Sequence, residues 1–233
     1  MRYGVLKFPG GHGDAELIHI LRHHFKKDVR EIWYREEKFT DIDALFIGGG
    51  FPCVHGKTFE ECRDESPALL YMVEFASRGG FVTGFGNGFR LLCEAGLLPG
   101  ELKRNAGETF ICKQVFIKPE NHSNPVTIGL QQGDILRNPI ATEYGRFVAG
   151  EADLVKMREH GQIMFRYCDH EGRISEAINV TGSTDNIAGV CNRKKNVFGM
   201  VPRPERAVAI FGKEEDGRLI LRSLLDHIVV GSA

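Results

Sequence analysis

Short runs of apolar, β-branched and aromatic residues alternate with stretches of helical periodicity as far as Ala95, the pattern of βαβ units that build a mainly parallel sheet. Residues 3–8 read as a first strand. Leu17, Ile20, Leu21 and His24 recur at helical spacing and predict an amphipathic helix over residues 14–25. Residues 29–33 and 44–47 supply the next two strands. Ser66-Pro67 predicts a helix start, because serine caps free N–H groups and proline suits the first helical position; Gly79-Gly80 ends that helix after Arg78. A fourth strand, 81–85, reverses at once into a helix over 87–94. From Gly107 onward the pattern shifts to strands joined by turns. Strands are expected at 109–117, 163–167, 187–191 and 197–200, with a hairpin turn at 192–196 and helices near 152–159 and around Leu219, Ile220, Leu224, Leu225, Ile228 and Val229.

The chain has 233 residues, 42% of them hydrophobic, enough to bury a substantial core in one domain spanning residues 1–233. Thirty Lys and Arg face 31 Asp and Glu, so no excess of positive charge is present to neutralise a phosphate backbone, and nucleic acid is not an expected partner. The apolar runs fall far short of the roughly 20 residues that cross a bilayer, and the N-terminal run is too short for a secretory signal. No membrane association and a cytoplasmic location are therefore expected. The six cysteines, Cys53, Cys62, Cys93, Cys112, Cys168 and Cys191, form no CxxC pair and no Cys/His ladder, so no metal is expected. No cofactor is expected either: Gly84-x-Gly86 would open a dinucleotide fingerprint, but position 89, where its third glycine belongs, is Phe89.

Several segments carry more than turn chemistry. They are Phe8-Pro9-Gly10; Gly48-Gly49-Gly50-Phe51; Gly84-Phe85-Gly86-Asn87-Gly88-Phe89 with Glu94-Ala95-Gly96-Leu97-Leu98-Pro99-Gly100; Phe165-Arg166-Tyr167-Cys168-Asp169; Asn186-Ile187-Ala188-Gly189; and Gly199-Met200-Val201-Pro202-Arg203-Pro204-Glu205-Arg206. In order and spacing these resemble the glutaminase-subunit family of phosphoribosylformylglycinamidine synthase, class I glutamine amidotransferases of purine biosynthesis. The resemblance runs from end to end. It implies a class I glutamine amidotransferase-like, flavodoxin-like doubly wound α/β sheet, mainly parallel with additional antiparallel strands, its pocket at the carboxyl ends of the parallel strands. It also implies a synthetase subunit as partner.

In such enzymes a cysteine on a tight strand-to-helix turn attacks the glutamine amide, a histidine shuttles protons, an acid orients it, and backbone N–H groups hold the oxyanion. The resemblance places the nucleophile at Gly86 and the histidine at Arg203; the acid, Glu205, is retained. Glycine has no side chain to attack with, and arginine stays protonated and accepts no proton. Gly49, Gly50 and Phe51 take the oxyanion loop, Asn87 follows the elbow, and Thr142 stands where the family has a second, substrate-contacting histidine. Pro52-Cys53-Val54-His55-Gly56 replaces the family's glutamine-binding run. At Gly86 glycine relieves the strain of about 1–3 kcal/mol that an elbow imposes on a side chain. Arg203 is expected to fill the vacated space and pair with Glu205 or Glu143.

Three functions follow from these residues. The first is a non-catalytic or regulatory partner subunit of a synthetase. The second is an active glutaminase with a relocated nucleophile, Cys53, served by His12 or His55. The third is a binding module in which the altered pocket holds a small anionic metabolite near Arg203.

Overall fold

The computed structural model describes residues 1–50, 59–208 and 216–230. Its frame is a nine-stranded sheet containing β1 (Arg2–Lys7), β2 (Asp28–Trp33), β3 (Ala44–Ile47), β4 (Phe81–Phe85), β6 (Ile111–Pro119), β7 (Leu136–Thr142), β9 (Ile163–Cys168), β10 (Ile187–Cys191) and β11 (Val197–Met200). Two short strands, β5 (Glu101–Lys103) and β8 (Arg146–Val148), pair separately. The strand order is β2-β1-β3-β4-β11-β10-β9-β6-β7. The first five strands run parallel, and from β11 onward each neighbour is antiparallel.

Why the parallel half forms is visible in its burial: all four residues of β3 and four of the five in β4 are buried, as strands covered on both faces must be. Helix α1 (Gly13–His19) packs on β1 and β3, while α3 (Pro67–Ser77) and α4 (Asn87–Glu94) pack on β4. Helix α2 (Phe59–Arg63) precedes α3, α5 (Glu151–Glu159) precedes β9, and α6 (Asp216–Val230) packs against β7. Phe46, Phe85, Phe89, Phe165, Tyr167 and Phe198 are fully buried in the core, each worth roughly 1.5–3 kcal/mol of transfer free energy.

Several expectations need correction. The helix expected over residues 14–25 is α-helical only to His19 and continues as a π-helical turn, Ile20–His24; this slower winding leaves His24 exposed. Ser66 does not cap α3 with its side chain, because its hydroxyl donates to the Tyr34 carbonyl at 2.6 Å. Strand β6 begins at Ile111, two residues later than expected, and extends to Pro119. Helix α2 and strands β5, β7 and β8 were not anticipated. Strand β7 carries Asn138 and Pro139, which argue against a strand anywhere but at a sheet edge, and the edge is where β7 lies.

The loop after β1 and the loop after β3 touch through their backbones. The Gly13 amide donates to the Gly49 carbonyl at 2.8 Å, and the His12 amide to Gly50 at 3.2 Å. A Cβ on Gly13 would lie 2.2 Å from the Gly49 oxygen, and one on Gly48 2.5 Å from the Gly13 carbonyl carbon. Only glycine fits at either place. Gly13→Ala is therefore expected to cost at least about 1–3 kcal/mol, the usual penalty of overpacking. Gly107→Ala, whose new methyl would meet only Thr109 Oγ1 at 3.7 Å, is expected to stay within about 0.5 kcal/mol of the parent. Urea unfolding of the two variants checks this, and equal midpoints would refute it.

Candidate functional site

Because β1, β3, β4 and β11 are parallel, the segments that leave their carboxyl ends emerge on one rim of the sheet: residues 8–13, 48–50, Gly86 and 201–203. Chain order reverses beside β1, which has β2 on one side and β3 on the other, and open α/β sheets form their pockets at such a switch point. Antiparallel pairing brings the end of β7, with Thr142, to the same rim.

Gly86 is the elbow. It has φ 54° and ψ −115°, sits between β4 and α4, and donates its amide to the Met200 carbonyl at 2.9 Å. Its own carbonyl accepts the first helical amides, from Phe89 at 3.1 Å and Arg90 at 3.3 Å. A Cβ added there would meet only the Cα of Gly49, at 3.6 Å, so the space above the turn is open and the backbone angle is the sole penalty. Asn87 opens α4 and is half-buried.

Arg203 fills the neighbouring space. Only 2% exposed, it donates from Nε to Glu205 Oε1 at 2.7 Å and from Nη2 to Glu16 Oε2 at 2.9 Å. Its backbone amide is fixed to the Pro139 carbonyl at 2.9 Å. A Cβ on Gly49 would come within 3.0 Å of Arg203 Nε, which puts the guanidinium directly over the glycine loop. Glu16 is shared with Arg206, whose Nε reaches both its oxygens at 3.0 and 2.8 Å. Glu205 is buried; desolvation pushes its carboxyl above the usual range, and the Arg203 cation opposes that shift. Its Oε2 has no hydrogen-bond partner among the described residues.

Of the two partners expected for Arg203, Glu205 is present. Glu143 is not: it pairs with Arg104. The partner missing from the sequence reading is Glu16, which lies 187 residues away in the chain and carries no local signal beyond its place in the first turn of α1. Thr142 is buried, receives the Tyr144 amide on Oγ1 at 3.0 Å, and offers its carbonyl to Asn105 Nδ2 at 2.9 Å. Tyr144 beside it lies under the Arg90 guanidinium, 4.1 Å from the ring centroid, so this segment leans on α4. His12 is exposed in the loop before α1. Phe51, Cys53 and His55 lie outside the described residues.

Residues 1–215 match the family model for the CobB/CobQ-like glutamine amidotransferase domain. The chain belongs to that family. It is 40% identical over 225 residues to the phosphoribosylformylglycinamidine synthase subunit PurQ of Aquifex aeolicus, covering 97% of this chain and 99% of the relative. It is 37% identical over 232 residues to the subunit of the same name from Salinibacter ruber, covering 100% and 99%. The fold is similar to a chain in the structure of PurLQS from Thermotoga maritima, with a TM-score of 0.81 and 30% identity over 97% of this chain and 98% of that one. The mixed, mainly parallel sheet is that of the class I glutamine amidotransferases.

Of the five cysteines among the described residues, four are withdrawn from solvent. Cys62, Cys93, Cys168 and Cys191 are buried, and burial raises the thiols of Cys168 and Cys191 to about 11. Such thiols stay protonated near neutrality. Cys112 is the exposed one among them, at the start of β6.

Arg203→Met should cost about 3–5 kcal/mol near neutral pH, because it leaves the buried Glu205 charge unpaired. Since burial favours the protonated carboxyl, that deficit should shrink as pH falls, and the double variant with Glu205→Leu should regain most of it. Denaturant unfolding across pH reads both effects; a double variant no more stable than Arg203→Met would rule the account out. Gly86→Ala should cost about 1–3 kcal/mol from its positive φ alone, and an unchanged unfolding midpoint would show that the turn is unstrained.

Proposed function

We propose that this chain is the glutaminase-like subunit of a phosphoribosylformylglycinamidine synthase in purine biosynthesis, and that it serves its synthetase as a non-catalytic or regulatory partner without hydrolysing glutamine. The observation carrying this reading is the pairing of a bare Cα at the elbow with a buried, permanently charged side chain beside it. Gly86 offers no atom that can form a thioester, and the space next to it is taken by Arg203, tied to Glu205 and Glu16. Arginine has no lone pair with which to relay a proton.

The relatives named PurQ, and the similar chain in the structure of PurLQS, support the synthetase as partner. Among the described residues no helix is long and apolar enough to cross a membrane. The Gly86 turn and the backbone contacts between the glycine loops form this rim of the sheet without a side chain at residue 86.

Purified protein given glutamine should release no glutamate above the uncatalysed rate, alone or with a purine-pathway synthetase, yet should co-purify with that synthetase. Loss of a nucleophile ordinarily removes several orders of magnitude in rate, so the contrast with an active relative is large. Rapid glutamate formation that disappears in Cys53→Ala would replace this reading with that of an active enzyme using a relocated thiol.

A further inference from the structure

Helix α1 runs away from the pocket and changes its winding at Ile20. The Phe25 amide bonds to the Ile20 carbonyl at 3.1 Å, five residues back, so the turn Ile20–His24 is π-helical. In an α-helix residue i+4 stands beside residue i, while residue i+5 is rotated well away. The wider winding lets both approach. Here His23 and His24 flank His19: the ring centroids lie 4.7 Å apart for His19 and His23, and 6.0 Å for His19 and His24. All three side chains are exposed.

We propose that His19 and His23 chelate a borderline divalent transition cation, Zn2+ or Ni2+, with His24 within reach as a third imidazole. Neutral imidazole is a side-chain ligand that suits such ions. Two nitrogens held about 2.0–2.1 Å from a tetrahedral ion stand roughly 3.4 Å apart, which small rotations of rings already this close can supply. Among the described residues no three His, Cys, Asp or Glu side chains converge on a common point, so water completes the shell unless His24 swings in. The neighbouring Arg22 is held aside by Glu31, at 2.8 Å, and by the Val29 carbonyl, at 2.9 Å. This site lies beyond the first turns of α1 and is separate from the pocket that holds Glu16.

Isothermal titration of the whole chain with ZnCl2, and separately with NiCl2, tests the proposal. One equivalent should bind. His19→Ala and His23→Ala should each weaken binding at least about tenfold, since losing a ligand costs no less than losing a group that merely orients one. His24→Ala should weaken it by a smaller factor, whereas His170→Ala and Cys112→Ser, remote exposed donors, should leave it unchanged. Cu2+ bound at the same place should show imidazole nitrogen couplings in its electron paramagnetic resonance spectrum, lost in His19→Ala. Absence of uptake by the parent chain, or undiminished uptake by His19→Ala, would overturn the assignment.

Discussion

A guanidinium removed from water must take counter-charge with it, and the pocket of this amidotransferase is organised around that requirement. Arg203 is buried with one fully enclosed carboxylate, Glu205, and one half-exposed carboxylate, Glu16, which hands its remaining capacity to Arg206. The set is neutral as a whole. Buried ion pairs contribute little net stability compared with apolar packing, but losing one partner is expensive, so the arrangement specifies a geometry more than it strengthens the fold. Through it the end of β11 is held to α1 by Arg203 and Arg206, and to edge strand β7 by the Arg203 amide.

The elbow at Gly86 shows how little of such a turn depends on the side chain it displays. Its left-handed backbone is imposed from outside, by the Met200 carbonyl that receives its amide and by the start of α4 that needs its carbonyl. Strand and helix dictate the bend; the residue only tolerates it. Glycine tolerates it at least cost, so an elbow without a nucleophile is a relaxed version of the same structure.

β3 and β4 were legible in the sequence as short apolar runs closed by Gly48 and Gly86, and β3, β4, α4, β10 and β11 fall at the expected residues. Legibility fades where tertiary context overrides local preference. Strand β7 is one case, since only its edge position makes Pro139 acceptable; β5 and β8 are others, too short to leave a periodic trace. In the site, the contact between Arg203 and Glu205 could be read from neighbours in the chain. Glu16 could not, because an ion pair between the first helix and the last strand end has no one-dimensional signature. The π-helical turn escaped for a related reason: its apolar spacing over Leu17, Ile20 and Leu21 suits either winding.

The register of β4 has a consequence for how the molecule is made. β4 pairs with β3 on one side, and on the other with β11, where Val82 faces Val197. During synthesis the N-terminal half emerges with four strands ready to associate, while the strand that seals the β4 edge is still untranslated. Until Met200 has cleared the ribosome, that edge offers unpaired amides and carbonyls to any passing chain, and distant parallel pairings of this kind close slowly. In the folded chain that edge is closed by β11, from Val197 to Met200.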